Sequence, residues 1–215
     1  MRIPGHIGII PDGNRRWAER RGSPKEDGYE NGLMPGLQLF KLCKETGIRE
    51  MTFYGFTVDN TKRSSEQTTA FTKACVKAVE LLSHDNASLL VIGDTSSPKF
   101  PRQLLPFTKR IHFGNGGIKV NFLVNYGWQW DLANLNKPER KITSRNIGKH
   151  LNSADISRIE LIIRWGGRRR LSGFLPVQTV YSDIYVIDDY WPDFKPDHFF
   201  KALEWYNTQD VTLGG

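Results

Sequence analysis

The stretch His6–Trp17, HIGIIPDGNRRW, decides how the rest of the chain is read. An apolar run, Ile7–Ile10, stops at Pro11, presents Asp12 and Gly13, and passes into an arginine-rich segment of helical character. That order predicts a strand, a tight turn and a helix start. A helix N-terminus behind a glycine offers free backbone N–H groups to an anion, and Arg15 and Arg16 add positive charge there. An acid among anion-binding groups repels a phosphate unless a divalent cation lies between them. The stretch therefore predicts a Mg²⁺–diphosphate site.

Composition sets the outer bounds. A chain of 215 residues supplies one sizeable core and is short for two domains, so one α/β domain spanning 1–215 is expected. The formal charge of +7 calls for an anionic partner: nucleic acid, an acidic membrane surface or a phosphorylated substrate. Cys43 and Cys75 each fall inside a helical apolar pattern, which predicts buried, reduced thiols and a reducing compartment. The N-terminal MRIPGHIGII has no long apolar core of the signal-peptide type, and no apolar run reaches bilayer-spanning length. The expectation is a cytoplasmic protein.

Outward from the opening stretch, strands and helices alternate. Ser23–Gly32 reads as a polar loop, and Leu33, Leu37 and Phe40 mark an amphipathic helix closed by Gly47, with Pro35 near its first turn. Glu50–Phe56, Ser88–Ile92, Ile118–Val124, Ile159–Ile163 and Asp183–Ile187 read as further strands, making six in all. Phe71, Ala74, Cys75, Ala78 and Leu82 recur at helical spacing across 65–84. Helices are also expected over 101–111, over 129–151 with a break at Lys137–Pro138, and from Asp197, the expected cap, to Trp205. Strands joined by segments too long for hairpins imply βαβ units: a mostly parallel six-stranded sheet with helices on both faces. In such sheets ligands bind outside the C-terminal strand ends, and the polar residues of interest fall there.

A second constellation, Arg164-Trp-Gly-Gly-Arg-Arg-Arg-Leu-Ser172, packs arginines and a serine around two glycines. Guanidinium forks and a hydroxyl match phosphate oxygens, while the glycines let the backbone come close. The bland alternative is a solvated basic turn or a nucleic-acid patch. Two phosphate loops and one acid suit a reaction between two diphosphates, with Asp12, Arg15, Arg16, Arg63, Arg164 and Arg170 as its charged groups. Asp183 is a second candidate for the metal, Tyr29 a phosphate donor in the loop, and Asn60 a group that orients a proton transfer. The five histidines are scattered over unrelated segments and give no zinc pattern.

In order and spacing, HIGIIPDGNRRWAERRG, YGFTVDNTKR, VIGDTS, NYGWQWDL, IIRWGGRRRLSGFLPVQTVYSDIY, WPDF and the final GG resemble the cis-prenyltransferases of the undecaprenyl diphosphate synthase type. The resemblance covers nearly the whole chain. It implies a homodimer and a Mg²⁺-dependent condensation of an allylic diphosphate with isopentenyl diphosphate. By position it implies that Asp12 holds the Mg²⁺-bound allylic diphosphate and that Gly13, Asn14, Arg15, Arg16 and Trp17 cradle it. Lys25 and Tyr29 stand where arginine and histidine are usual contacts, Asn60 takes the proton-accepting place flanked by Thr57 and Asp59, and Arg63 is a further diphosphate contact. Arg164, Arg170 and Ser172 map to the isopentenyl site, and Asp183 to a metal-binding glutamate.

Departures from that pattern are Thr61 for tryptophan, Ser64 for proline, Tyr29 for histidine, and Glu160, Trp165 and Arg168 for Asp, Thr and Glu. The end DVTLGG lacks the usual arginines. The Asp-Gly-Tyr and Arg63–Gln67 segments resemble lavandulyl-type members, which couple two short prenyl diphosphates irregularly. A short-chain or irregular product is expected, with a tail slot lined by the helix at Phe71–Leu82 and by Phe53 and Phe122. Prenyl diphosphates are the expected partners, without nucleic acid and with at most peripheral membrane contact; the competing reading is a non-catalytic subunit of a prenyltransferase complex.

Overall fold

Each apolar run of the sequence becomes a strand because both faces of one sheet are covered. A computed structural model describes residues 2–136, 142–143 and 145–210. Along the chain lie β1 (His6–Ile10), β2 (Glu50–Tyr54), β3 (Ala87–Ile92), β4 (Ile111–Phe113), β5 (Ile118–Leu123), β6 (Leu161–Arg164) and β7 (Asp183–Val186). The helices are α1 (Asn14–Arg20), α2 (Asp27–Asn31), α3 (Leu33–Thr46), α4 (Ser65–Leu82), α5 (Trp128–Ala133) and α6 (Pro196–Asn207). The strands form one sheet in the order β4-β3-β5-β2-β1-β6-β7, parallel except for β4. On one face Ile7, Ile9, Phe53, Phe122 and Ile163 join a core completed by α3, α4 and α6. Ile10, Leu90, Leu123 and Ile162 join a second core with Tyr126, Phe174 and Leu175 on the other. Phe174 lies so close over β1 that a Cβ on Gly8 would sit 2.5 Å from its ring, which is why the buried run is broken by glycine there.

The sheet has a seventh strand at the end of the segment expected to be a helix over 101–111. Pro106 breaks the hydrogen-bond ladder, so 102–108 winds as 3₁₀ turns, and Ile111–Phe113 then pairs antiparallel with the edge of β3. The loop at Ser23–Gly32 also carries a helix, α2, pressed so tightly on α1 that a Cβ on Gly28 would meet the Asn14 carbonyl at 2.1 Å. At the last helix the cap is Lys195 with Pro196 in the first turn, two residues ahead of the expected Asp197. The segment expected to be helical over 129–151 keeps α5 and short 3₁₀ turns, while its Lys137–Pro138 break, like the final GG, lies outside the described residues.

The connections run from β1 to β2 on one side, and the chain later returns to place β6 on the other side of β1. That reversal makes the gap between β1 and β6 the topological switch point, where open α/β sheets bind ligands. Ile10 pairs with Arg164 across it, so Asp12 and the arginine loop leave the sheet side by side.

Candidate active site

Asp12 meets Arg164 directly at the switch point: the Arg164 Nη2 donates to Asp12 Oδ2 at 2.8 Å, and Arg16 stands 3.4 Å from Oδ1. The Gly13 amide donates to Oδ1 at 2.6 Å, with Gly13 in the left-handed region at φ 102°. Burial pushes the Asp12 carboxyl up, but Arg164, Arg16 and the Gly13 amide outweigh it and hold the carboxyl below its usual value. Arg164 is buried, and its Nη1 donates to the Arg170 carbonyl and to Ser172 Oγ. Its Nε has no protein partner among the described residues. Gly166, at φ 83°, lets the loop pass over Asp12, since a Cβ would meet Arg16 Nη2 at 2.6 Å.

These groups border a cleft of about 450 Å³. Its cationic side chains are Arg15, Arg16, Lys25, Arg63, Arg164, Arg168 and Arg170, and its carboxylates are Asp12, Glu19 and Asp59. Lys25 pairs with Glu19 at 2.9 Å and Asp59 with Lys62 at 2.7 Å. Among the described residues Arg15, Arg63, Arg168 and Arg170 have no carboxylate in salt-bridge distance, which leaves four unneutralised arginines around the cleft for anions.

Asn14, Thr57 and Asn60 also face the cleft. Asn60 Oδ1 accepts the Thr57 N–H at 3.1 Å, tying the turn that presents Arg63. That use, and the negligible basicity of an amide, fit Asn60 for positioning rather than for accepting a proton. Tyr29 is buried, not a mobile loop side chain; its hydroxyl accepts from Arg63 Nη1 at 2.8 Å. Burial raises the Tyr29 phenol against the opposing pull of Arg63, so it stays protonated.

Two expected site residues stand elsewhere. Trp17 is buried on the far side of α1, where its Nε1 donates to Asp193 Oδ1 at 2.7 Å. Asp183 pairs with Leu161 at the opposite end of β7 from the Arg164–Val186 pair, roughly 10 Å of extended chain from the cleft. Within one protomer Asp183 therefore stands apart from Asp12. Tyr54 was missed: it ends β2 at the cleft and its hydroxyl donates to the Ser172 carbonyl at 2.7 Å. The strand-end rule that singled out Asp12 and Arg164 would have found it.

For Mg²⁺ the switch point offers the Asp12 carboxylate, while the cleft's Glu19 and Asp59 are each paired with a lysine, and the described residues hold no group of three or more metal-binding side chains. Mg²⁺ commonly binds through one or two carboxylates plus substrate phosphates, and the donor set fits that mode.

An apolar slot of about 80 Å³ adjoins the cleft, bounded by Leu37, Phe53, Cys75, Ala78, Leu82 and Phe122 among others. Pro11, Asn14, Tyr29, Gly55 and Phe71 border both spaces. A cationic cleft at the switch point of a parallel sheet, backed by a hydrocarbon slot, defines a protein for amphiphilic anions with a charged head and an apolar tail. Residues 10–214 match the family model described as putative undecaprenyl diphosphate synthase. The chain belongs to this family of cis-prenyltransferases and is a prenyltransferase.

It is 32% identical to a ditrans,polycis-undecaprenyl-diphosphate synthase, (2E,6E)-farnesyl-diphosphate specific, from Buchnera aphidicola subsp. Schizaphis graminum, over 98% of this chain and 91% of that one. An isoprenyl transferase of Nitrosomonas europaea is 31% identical over 99% of this chain and 86% of its own. The crystal structure of lavandulyl diphosphate synthase from Lavandula x intermedia, in complex with dimethylallyl diphosphate, superposes with a TM-score of 0.84 at 22% identity. That likeness covers 99% of this chain and 98% of the other and concerns the fold.

Proposed function

We propose that the chain condenses an allylic diphosphate with isopentenyl or a second prenyl diphosphate, with Mg²⁺, to give a short-chain or irregular product. The slot carries this reading. A water needs about 10–15 Å³ of such volume and occupies about 30 Å³ of liquid, close to one methylene, so a space of about 80 Å³ takes roughly five to eight carbons. That is one to two isoprene units, far below a polyprenyl carrier.

The chemistry follows from the charges. Arg15, Arg16 and Arg63 hold the allylic diphosphate, and Arg164, Arg168, Arg170 and Ser172 the second one. Asp12 would hold Mg²⁺, which supplies Lewis-acid stabilisation of the leaving diphosphate. The allylic C–O bond breaks with its electron pair leaving on oxygen, and the arginines stabilise that developing charge as fixed groups. The alkene of the second substrate then supplies the electrons of the new C–C bond. The proton lost from the resulting cation passes to the released diphosphate, with the Asn60 turn holding Arg63 in place.

Purified protein incubated with Mg²⁺ and pairs of isopentenyl, dimethylallyl and longer allylic diphosphates should release diphosphate and yield products of about ten carbons. Product from dimethylallyl diphosphate alone marks irregular coupling. No diphosphate release from any pair refutes the reading and favours the non-catalytic subunit. The same reading takes the working unit as a cytoplasmic homodimer; sedimentation equilibrium tests the dimer. No helix among the described residues is long and apolar enough to cross a membrane.

A further inference from the structure

Cleft and slot meet at two aromatic rings. Tyr29 on α2 and Phe71 on α4 stack with centroids 4.5 Å apart and planes 3° from parallel, and both border both spaces. Phe56 braces Phe71 edge-on at 5.5 Å. On the cleft side the Arg63 guanidinium donates to the Tyr29 hydroxyl and lies 5.8 Å from the Phe71 centroid. A molecule with its head among the arginines and its tail in the slot lies against this pair, with Pro11, Asn14 and Gly55 completing the border. The leaves are unequal, since Phe71 sits in an 18-residue helix and Tyr29 in a five-residue one.

We propose that Tyr29 and Phe71 form a gate between head and tail spaces, latched by the Arg63–Tyr29 hydrogen bond, and that it selects the prenyl tail by size. The inference rests on the diphosphate reading above. A diphosphate oxygen is a stronger acceptor for a guanidinium than a phenol oxygen is. Arrival of the head therefore draws Arg63 from Tyr29 and releases the leaf as the tail enters. Tyr29 is thus a positioning and specificity residue, not itself a diphosphate ligand.

Saturated alkyl diphosphates of five, ten and fifteen carbons, which cannot ionise, separate binding from turnover, and inorganic diphosphate reports the head alone. Titration calorimetry with Phe71→Ala should leave inorganic diphosphate within about twofold and improve the longer chains over the five-carbon chain by about tenfold. Phe71→Leu, which keeps an apolar side chain in the helix, should shift the same way by less. Tyr29→Phe keeps the stack but removes the latch, so inorganic diphosphate should bind several-fold tighter because Arg63 has no phenol to give up. An unchanged chain-length profile in both Phe71 variants overturns the gate. So does weaker inorganic diphosphate binding by Tyr29→Phe, which would make the phenol a direct ligand. If wild-type protein binds neither inorganic nor alkyl diphosphate, the diphosphate reading falls and the gate with it; a wild type that binds all of them with a tail-blind Phe71→Ala sinks the gate alone.

Discussion

Asp12→Asn should destabilise the protein yet tighten its grip on metal-free diphosphate. The substitution keeps the shape of the side chain and removes its charge, leaving Arg164 as a buried cation without its counter-ion. Breaking a buried ion pair by removing one partner costs about 3–5 kcal/mol. Here the Asp12 side chain retains 33% of its exposure, and Arg164 keeps the Arg170 carbonyl and Ser172 hydroxyl, so about 2 kcal/mol is the better figure. For a chain of this size that lowers the melting temperature by about 4–8 °C. The opposite sign appears in binding. A charge about 5 Å from an incoming anion contributes roughly 3 kcal/mol at an effective dielectric of about 20, and salt and hydration cut that to about 1.4 kcal/mol. Inorganic diphosphate without Mg²⁺ should therefore bind about tenfold tighter to Asp12→Asn, while Mg²⁺ should no longer improve binding and turnover should vanish. Thermal melts and titration calorimetry with and without Mg²⁺ read the stability and both binding outcomes, and a diphosphate-release assay reads the turnover. Weaker metal-free binding in the variant would refute the argument, since it would mean that Asp12 itself helps to hold the anion.

Three further outcomes rest on the same geometry. The Asp12 carboxyl is held below its ordinary value, so its contribution to stability is fully present above the unfolded carboxylate pKa of about 3.9 and is lost as pH falls through the lowered one. Acid unfolding of wild type and Asp12→Asn should converge as pH drops through that window, and curves that stay parallel would contradict it. Trp17→Phe should cost about 1 kcal/mol in chemical denaturation through the lost bond to Asp193, with diphosphate affinity unchanged. A several-fold affinity loss would return Trp17 to the site. Burial pushes the Cys75 thiol up to about 12 and the Cys43 thiol up as well, so neither should react with iodoacetamide at pH 8 until denaturant opens the core. Rapid labelling of folded protein, detected by peptide mass spectrometry, would show that the slot wall opens.

Much of the site was legible because its signals are local. Asp12-Gly13 after a run of isoleucines and Arg164–Ser172 after IELII each announce a strand end followed by a glycine turn with charged groups, and strand ends of one parallel sheet share an edge. The misread elements are those where a neighbour in space decided. Ile111–Phe113 is too short to declare itself and becomes a strand because β3 offers an open edge. The polar segment around Tyr29 looked like a loop, and it is helical because Gly28 lets α2 pack onto the Asn14 backbone. Trp17 lay inside the right motif, but helical geometry turned it away from the cleft.

The residue order around His6–Trp17 determined the strand-turn-helix, the acid at the turn and the cationic character of the helix behind it, because each depends on nearest neighbours in the chain. Tertiary structure alone decided that Asp12 meets Arg164, 152 residues away, because only the pairing of β1 with β6 makes them adjacent. It likewise decided that Asp183 falls at the wrong end of its strand, since direction along a sheet is set by register and not by composition. The size of the tail slot belongs to the fold too: it is the space left where α3, α4, β2 and β5 meet, and no single stretch of sequence encodes a volume.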